Sequence, residues 1–130
     1  MKEVFLGGTC SGSEWRDDLI QLLTIDYFNP VVSDWNEEAQ RREVEKRQTC
    51  DFVLYVITPK MTGTYSIAEV VDDSNKRPQK TVFCCLSLDG KSLFTHEQEK
   101  SLNAVAKLVA ANGANVFSSL NGVAEFLNAA

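Results

Sequence analysis

The sequence Phe52-Val53-Leu54-Tyr55-Val56-Ile57 decides the fold, because all six residues are hydrophobic and all but one are β-branched or aromatic. An unbroken run of this kind is typical of a central strand in a parallel sheet that is covered on both faces. Four further short apolar runs lie on either side of it in the chain. They are residues 4–6, 27–32, 81–86 and 116–117. Pro30 breaks the second of these runs, which places it toward an edge of the sheet.

Segments with helical periodicity separate the apolar runs. They lie at about residues 14–23, 37–48, 66–74, 95–111 and 118–127. The segment at 37–48 is so strongly charged that we expect a solvated surface helix. Alternating strands and helices predict an α/β fold with a five-stranded parallel sheet and helices on both faces. Right-handed crossovers then favour a doubly wound, flavodoxin-like sheet of strand order 2-1-3-4-5, in a single domain over residues 1–130.

Three helix starts are predicted from capping residues. Asp34, with Glu37 three residues later, has the spacing of a capping box. The same spacing occurs in residues 66–69, SIAE, and again between Thr95 and Gln98. We therefore expect helices to begin after Asp34, at the SIAE segment and after Thr95.

Composition restricts the classes of function. Thirteen Lys and Arg against eighteen Asp and Glu give a net charge of −5, which argues against a nucleic-acid binder because such proteins need a basic face. No apolar run approaches the roughly 20 residues of a membrane helix. The first apolar run is also too short for a signal peptide, so we interpret the chain as cytoplasmic and expect no membrane partner. Four cysteines without a Cys-x-x-Cys spacing, together with one histidine, predict neither a metal site nor a disulfide framework.

Two loops stand where a fold of this type binds ligands, beyond the carboxyl ends of strands one and three. They are residues 7–13, GGTCSGS, and residues 58–65, TPKMTGTY. Both lead into a helix N-terminus, whose free N–H groups favour anions. Gly7 and Gly8 either let a ligand approach the backbone or only form a tight turn, and we favour the ligand. The spacing is neither Gly-x-Gly-x-x-Gly nor a P-loop, so no dinucleotide or NTP-hydrolysing site is indicated and no cofactor is predicted.

Glu69 is the first candidate for chemistry, because the predicted helix start places it in the first turn after strand three, facing the same crevice. The positive end of a helix favours an ionised carboxylate, which suits a nucleophile or a ligand for sugar hydroxyls. The alternative is that Glu69 only caps the helix, and the spacing alone favours the cap. Asp72 and Asp73 follow on the same helix and are expected to be solvated.

The other candidates are weaker. Arg16 could reach a phosphate or hydroxyl from the helix after the glycine loop, and Trp35 could wall a pocket. Asp34 follows strand two at the same end of the sheet, and Glu43 lies within the charge run of the surface helix. Cys10 lies in the glycine loop, but no histidine is near it in the sequence, so a cysteine enzyme is less favoured.

Several linked segments resemble one protein family. They are residues 4–10 (VFLGGTC), 15–17 (WRD), 27–32 (YFNPVV), 34–35 (DW), 50–59 (CDFVLYVITP) and 63–69 (GTYSIAE). Together they are similar to the small nucleoside 2-deoxyribosyltransferase-like proteins over about the first 86 residues. The resemblance implies a flavodoxin-like fold and cleavage of the N-glycosidic bond of a small-molecule substrate, a deoxynucleoside or its 5′-phosphate.

The resemblance also implies roles for the acidic candidates. In such proteins a glutamate at the start of the helix after strand three attacks the anomeric carbon, and the matching residue is Glu69. We therefore prefer the nucleophile over the cap, with a deoxyribosyl ester that a second base or water resolves. A second acid must protonate or hold the departing base. Glu43, eight residues before Asp51, is the matching position, and Asp34 is the other contender.

Substrate-binding candidates follow from the same resemblance. They are Gly7, Gly8, Thr9, Arg16, Trp35, Gly63, Tyr65 and Ser66. Transferases of this kind often carry an aspartate six residues before the nucleophile, where this chain has Gly63, so sugar recognition differs or the activity is altered. The turn at residues 64–66 would serve for a 5′-phosphate. Members of the family are commonly homo-oligomers, which the short, mostly apolar C-terminal helix permits.

Three functions stay open at this point. The first is the N-glycosidic enzyme, either transferase or hydrolase. The second is a TIR-like domain that cleaves NAD, which the absence of a Ser-x-Trp-Cys-like segment around the glutamate disfavours. The third is a binding module that retains the pocket for a nucleotide-like ligand without turnover.

Overall fold

The computed structural model describes all 130 residues and contains one parallel sheet of five strands. The chain has seven strands in all, of which five form this sheet and two form a separate ribbon. They are β1 (Glu3–Gly8), β2 (Asp26–Phe28), β3 (Phe52–Ile57), β4 (Thr81–Cys85), β5 (Leu88–Asp89), β6 (Ser92–Leu93) and β7 (Asn115–Phe117). The sheet runs in the order β2-β1-β3-β4-β7, and every neighbouring pair is parallel. This confirms the flavodoxin-like α/β fold and the predicted order, with β7 as the fifth strand of the sheet.

Helices cover both faces of the sheet. They are α1 (Trp15–Ile20), α2 (Glu37–Thr49), α3 (Tyr65–Lys76), α4 (His96–Ala111) and α5 (Leu120–Ala129), with a short 3₁₀ helix at Pro78–Lys80. α1 and α5 contribute Leu19 and Leu127 to one core, whereas α3 and α4 contribute Val70 and Val109 to the other. α2 has no buried residue, as its charge predicts. No helix combines the length and the apolar character needed to cross a membrane.

β3 lies at the centre of the sheet, and none of its residues is more than 7% exposed. Its side chains alternate between the two cores. Phe52, Leu54 and Val56 join one, and Val53, Tyr55 and Ile57 join the other. Both faces are covered, which explains why the sequence of β3 shows no polar alternation. β1 pairs beside it with Gly8 opposite Val56, so the two predicted ligand loops leave the sheet side by side.

The start of α2 differs from the prediction. Asn36, not Asp34, caps this helix, and its side-chain oxygen accepts a hydrogen bond of 2.9 Å from the Ala39 N–H. Both residue types can cap, but Asn36 is the last residue with extended backbone before the helical turns. The predicted capping box of Thr95 and Gln98 at the start of α4 is confirmed.

The start of α3 also differs. The helix begins at Tyr65, after Thr64, and no side chain caps it. Glu69 is therefore the fifth residue of α3 and lies in its second turn, beyond the N–H groups that a capping side chain satisfies. The capping-box alternative built on Ser66 is wrong, and the Glu69 side chain is available for other contacts.

The segment after β4 forms a small two-stranded ribbon that the apolar runs of the sequence do not predict. β5 and β6 pair antiparallel around Gly90, whose φ is +62°. Asp89 of this ribbon accepts a hydrogen bond of 2.6 Å from the Ser13 hydroxyl and lies 3.7 Å from Lys60. The ribbon thus holds both ligand loops from the side.

Candidate active site

The glycines after β1 are required by the packing of the two central strands. A Cβ on Gly8 would lie 2.0 Å from the Val56 carbonyl oxygen, and the φ of Gly8 is +118°, a region that favours glycine. A Cβ on Gly7 would lie 2.7 Å from the ring of Tyr55. The packing of β1 against β3 therefore requires glycine at both positions. Both glycines also line a cavity.

Arg16 stabilises the glycine loop. Its buried guanidinium uses all three nitrogens to donate to the carbonyl oxygens of Leu6, Gly8 and Thr9, at 3.1, 3.3 and 2.7 Å. The Trp15 indole N–H donates to the same Thr9 oxygen at 2.7 Å. Arg16 also lines the cavity, and its predicted contact with a substrate stays a prediction.

A cavity of about 300 Å³ opens at the carboxyl ends of β1 and β3. One wall is apolar and comes from the segment after β2. It consists of Pro30, Val31, Val32 and Trp35. The opposite side is polar, with Glu43 from α2 and with Ser66 and Glu69 from α3. The cavity thus combines a flat apolar surface with two carboxyl groups.

The two carboxyl groups meet inside the cavity. Glu43 projects from the middle of α2, Glu69 projects from the second turn of α3, and their carboxyl groups lie close enough to share a hydrogen bond when one of them is protonated. Glu69 is only 7% exposed, and Glu43 is half-buried. A hydrogen bond between two carboxyl groups requires that one of them carry a proton, because two carboxylates at this distance repel.

Burial and repulsion change the acidity of the pair. Burial and the neighbouring charge of Glu43 raise the pKa of Glu69 to about 7, and Arg47 opposes this shift. Burial also raises the pKa of Glu43, against the hydrogen bond with Glu69 and the charges of Arg47 and Arg16. The two groups titrate as a pair, so near neutral pH the cavity holds a carboxylate beside a carboxylic acid. Covalent catalysis with a proton donor needs this combination.

The match to a protein-family model covers the same part of the chain. The family model described as nucleoside 2-deoxyribosyltransferase like matches residues 1–87 of the 130. The chain belongs to this nucleoside 2-deoxyribosyltransferase-like family. The match runs from β1 through β4 and includes both helices that carry the carboxyl pair. None of the curated proteins compared with the chain matches it.

In this nucleoside 2-deoxyribosyltransferase-like protein a second charged cluster joins α2 to α3, one helical turn beyond the carboxyl pair. Asp73 is wholly buried and accepts a hydrogen bond of 2.5 Å from the Tyr55 hydroxyl. Arg47 donates to both oxygens of Asp73, from Nε at 3.2 Å and from Nη2 at 3.0 Å, and Arg77 donates as well. The prediction that Asp73 is solvated is wrong, because this face of α3 packs against β3 and α2, where donors surround the carboxylate.

Sequence reasoning missed the roles of Arg47, Asp73 and Tyr55. The spacing of these residues along each helix indicates part of the cluster. Arg47 follows Glu43 by four residues and Asp73 follows Glu69 by four, so each pair shares one face of its helix. The two faces turn toward each other, which no spacing within one helix reveals.

The structure brings Glu43, and not Asp34, beside Glu69. Asp34 is exposed and does not line the cavity, while Trp35, the residue after it, does. Trp35 is 55% exposed and lines the cavity, and its predicted contact with a substrate stays a prediction. No group of three or more His, Cys, Asp or Glu side chains is placed to hold a metal ion.

The remaining candidates line a smaller recess of about 180 Å³ beside the cavity. Thr9 and Gly63 line the recess but not the cavity. The residues that line both spaces are Gly8, Cys10, Tyr65 and Ser66. The recess therefore extends the cavity toward the start of α3.

A larger open groove of about 960 Å³ runs between α3 and α4. Its floor is mostly apolar, with Ile67 and Val71 on one side and Leu102 and Val105 on the other. Neither carboxyl group of the pair reaches it. Volume alone does not locate the chemistry, whereas the paired carboxyl groups do.

Proposed function

We propose that this protein cleaves the N-glycosidic bond of a deoxynucleoside or its 5′-phosphate, with retention of configuration at the anomeric carbon. Glu69 is the nucleophile, and Glu43 is first the acid and then the base. The observation that carries the proposal is the hydrogen-bonded pair of Glu43 and Glu69, inside a cavity at the carboxyl end of the sheet, in a member of this family.

The first step forms a covalent intermediate. The Glu69 carboxylate attacks C1′ of the sugar, the bond from C1′ to the base nitrogen breaks, and its electron pair leaves with the base. Glu43 transfers its proton to the departing base. The products of this step are a deoxyribosyl ester on Glu69, a neutral base and a Glu43 carboxylate.

The second step releases the sugar. A second base, or water, attacks C1′ from the face that the first base left, and Glu43 takes the proton of the attacking group. The bond from C1′ to the Glu69 oxygen breaks and the Glu69 carboxylate is restored. Two displacements at C1′ give overall retention.

The closeness of the two carboxyl groups argues against inversion. Inverting glycosidases keep their two carboxyl groups about 6.5–9.5 Å apart, because a water must fit between one of them and the sugar. Glu43 and Glu69 are in hydrogen-bond contact. That contact supports attack by Glu69 itself.

The cavity walls support a nucleoside-sized ligand. The apolar side of the cavity, with Trp35 at its opening, suits the flat face of a nucleobase. A volume of about 300 Å³, with the adjoining recess of about 180 Å³, is at the small end of known ligand pockets. The recess borders the start of α3, whose free N–H groups suit a 5′-phosphate.

Chromatography of the reaction products tests the proposal. Purified protein is incubated with a panel of deoxynucleosides, their 5′-phosphates and NAD, with and without a free acceptor base. We expect release or exchange of a nucleobase that disappears in Glu69→Gln. Release of nicotinamide from NAD alone would support the TIR-like alternative, and no turnover by folded protein would favour the binding module.

Two further variants decide which residue is the second acid. Glu43→Gln removes the proton donor and should lower the rate by about 100-fold or more. Asp34→Asn makes the same chemical change outside the cavity and should leave the rate unchanged. An equal loss in Asp34→Asn would contradict the assignment of Glu43.

A further inference from the structure

The proposed mechanism needs an asymmetry between two similar groups. Glu69 must be the ionised member of the pair and Glu43 the protonated one, although both are glutamates in one cavity. Burial raises both pKa values, and the contact between the groups raises the pKa of Glu69 further and lowers that of Glu43. The ionised Glu69 that the mechanism needs therefore requires a cation that lies closer to Glu69 than to Glu43.

Arg47 provides such a charge. Its Nη1 lies 3.4 Å from Oε2 of Glu69, with both side chains largely buried. Arg47 also lies one helical turn from Glu43 on α2, yet it forms no ion pair with that residue within 4.0 Å. The contact therefore favours the ionised form of Glu69 directly.

Asp73 determines where the guanidinium stands. Two nitrogens of Arg47 are used by the two oxygens of Asp73, in the bidentate geometry that fixes a guanidinium in one plane. Asp73 is itself wholly buried and held by Tyr55 and Arg77. The third nitrogen of Arg47 is thus held in one direction, toward Glu69.

The charged and titratable groups around Glu69 come from four elements. They are Glu43 and Arg47 of α2, Asp73 of α3, Tyr55 of β3 and, on the far side of Glu43, Arg16 of α1. Glu43 and Asp73 both oppose ionisation of Glu69, and Arg47 is the one cation in contact with it. Its removal would leave Glu69 facing acidic groups only.

We propose that Arg47 is a positioning residue that holds the Glu69 carboxylate in its attacking orientation and ionised form, and that Asp73 is the anchor of Arg47. This inference rests on the proposed function, because it assigns the nucleophile to Glu69. Arg47 acts through Glu69 and not on the substrate, since it does not line the cavity.

The kinetic test compares Arg47→Gln and Arg47→Lys with Arg77→Gln. Arg77→Gln is the matched control, because it also removes a guanidinium from Asp73 but one that does not contact Glu69. We expect kcat/KM of Arg47→Gln to fall by roughly 100-fold, the loss that a misplaced reacting group causes. The acid limb of its pH profile should move up by roughly one unit, Arg47→Lys should recover part of both, and Arg77→Gln should keep the wild-type acid limb.

A second measurement does not depend on turnover. Carbon-13 NMR of the glutamate side-chain carboxyl groups follows the titration of Glu69, assigned from the signal missing in Glu69→Gln. The titration midpoint of Glu69 should rise in Arg47→Gln, rise less in Arg47→Lys and stay in place in Arg77→Gln. Circular dichroism verifies that each variant is folded. If Arg47→Gln does not fold, the same measurements are made on Arg47→Lys.

The outcomes separate this inference from the proposed function. If Glu69→Gln abolishes base release while the Arg47 variants keep the wild-type pH profile and NMR midpoint, the function stands and the role of Arg47 is wrong. If no substrate turns over but the midpoint moves as expected, the electrostatic role stands and the function is wrong. Equal losses in the Arg47 and Arg77 variants, without a shift in either profile, would overturn the inference in favour of a purely structural cluster.

Discussion

Glu69 and Asp73 are buried acidic residues one turn apart on α3, and their surroundings are opposite. Asp73 accepts hydrogen bonds from a tyrosine hydroxyl and two guanidinium groups, so its charge is compensated. Glu69 has one guanidinium nitrogen at 3.4 Å and a second carboxyl group beside it. The first arrangement stabilises the fold. The second opposes folding, and an acidic pair of this kind within a cavity is typical of an active site.

The largest expected effect on stability comes from neutralising the compensated carboxylate. Asp73→Asn removes the carboxylate that two largely buried guanidinium groups share, which should lower the free energy of unfolding by about 3–5 kcal/mol. Denaturant unfolding measures this loss. A loss no larger than that of Asp17→Asn, a change at an exposed residue of α1, would contradict the comparison.

Neutralising Glu69 should raise, not lower, the free energy of unfolding at alkaline pH relative to the wild type. Folding raises the pKa of Glu69 from 4.5 to about 7, so the native state binds more protons than the unfolded state between these values. The contribution of Glu69 to stability is complete below about pH 4.5 and is lost as the pH rises through about 7. From pH 5 to pH 8 the wild type should lose about 2.5 kcal/mol more than Glu69→Gln. Parallel pH profiles of the two proteins would contradict the raised pKa.

Removing one hydrogen-bond donor from Asp73 tests how much a single donor contributes to the stability of the buried carboxylate. Tyr55→Phe deletes the hydroxyl that donates at 2.5 Å and should lower stability by about 2 kcal/mol, the value of a hydrogen bond to a charged group. Turnover should change less than in Arg47→Gln, because Tyr55 donates to Asp73, whereas Arg47 contacts Glu69 directly. The pair of measurements is unfolding by urea and base release at one pH. A larger loss of turnover than in Arg47→Gln would contradict this order.

The smallest effect concerns the start of α2, the helix that brings Glu43 and Arg47 to α3. Asn36→Ala removes the capping hydrogen bond to Ala39 and should lower stability by about 1 kcal/mol. Asp34→Ala is the matched control and should change the free energy of unfolding by only a few tenths of a kcal/mol. The reverse order would restore Asp34 as the cap.

The strand order could be predicted from the sequence because it depends on patterns within short segments. β3 shows a continuous hydrophobic run, and Pro30 marks the edge beside β2. The position of Glu69 after strand three makes it a candidate, but the spacing favours a cap, and only the family resemblance implies the roles of nucleophile for Glu69 and second acid for Glu43. The cap prediction failed because α3 begins one residue before Ser66, a difference that side-chain propensity does not resolve.

The charged cluster could not be predicted in the same way. Arg47 and Asp73 are 26 residues apart in the sequence, and each lies among other charged residues of a helix. A solvated charge and a buried, compensated charge have the same periodicity along one helix. Only the packing of α2 against α3 distinguishes Asp73, which is wholly buried, from Asp72, whose side chain is 44% exposed.

The central claim is that Glu69 forms a covalent bond to the sugar. The most direct test mixes the protein with a deoxynucleoside, stops the reaction with acid within the first turnover and maps the peptides by mass spectrometry. We expect a mass gain of one deoxyribosyl group on the peptide that carries Glu69, absent from Glu69→Gln. Base release without an adduct, giving a sugar of inverted anomeric configuration, would contradict it.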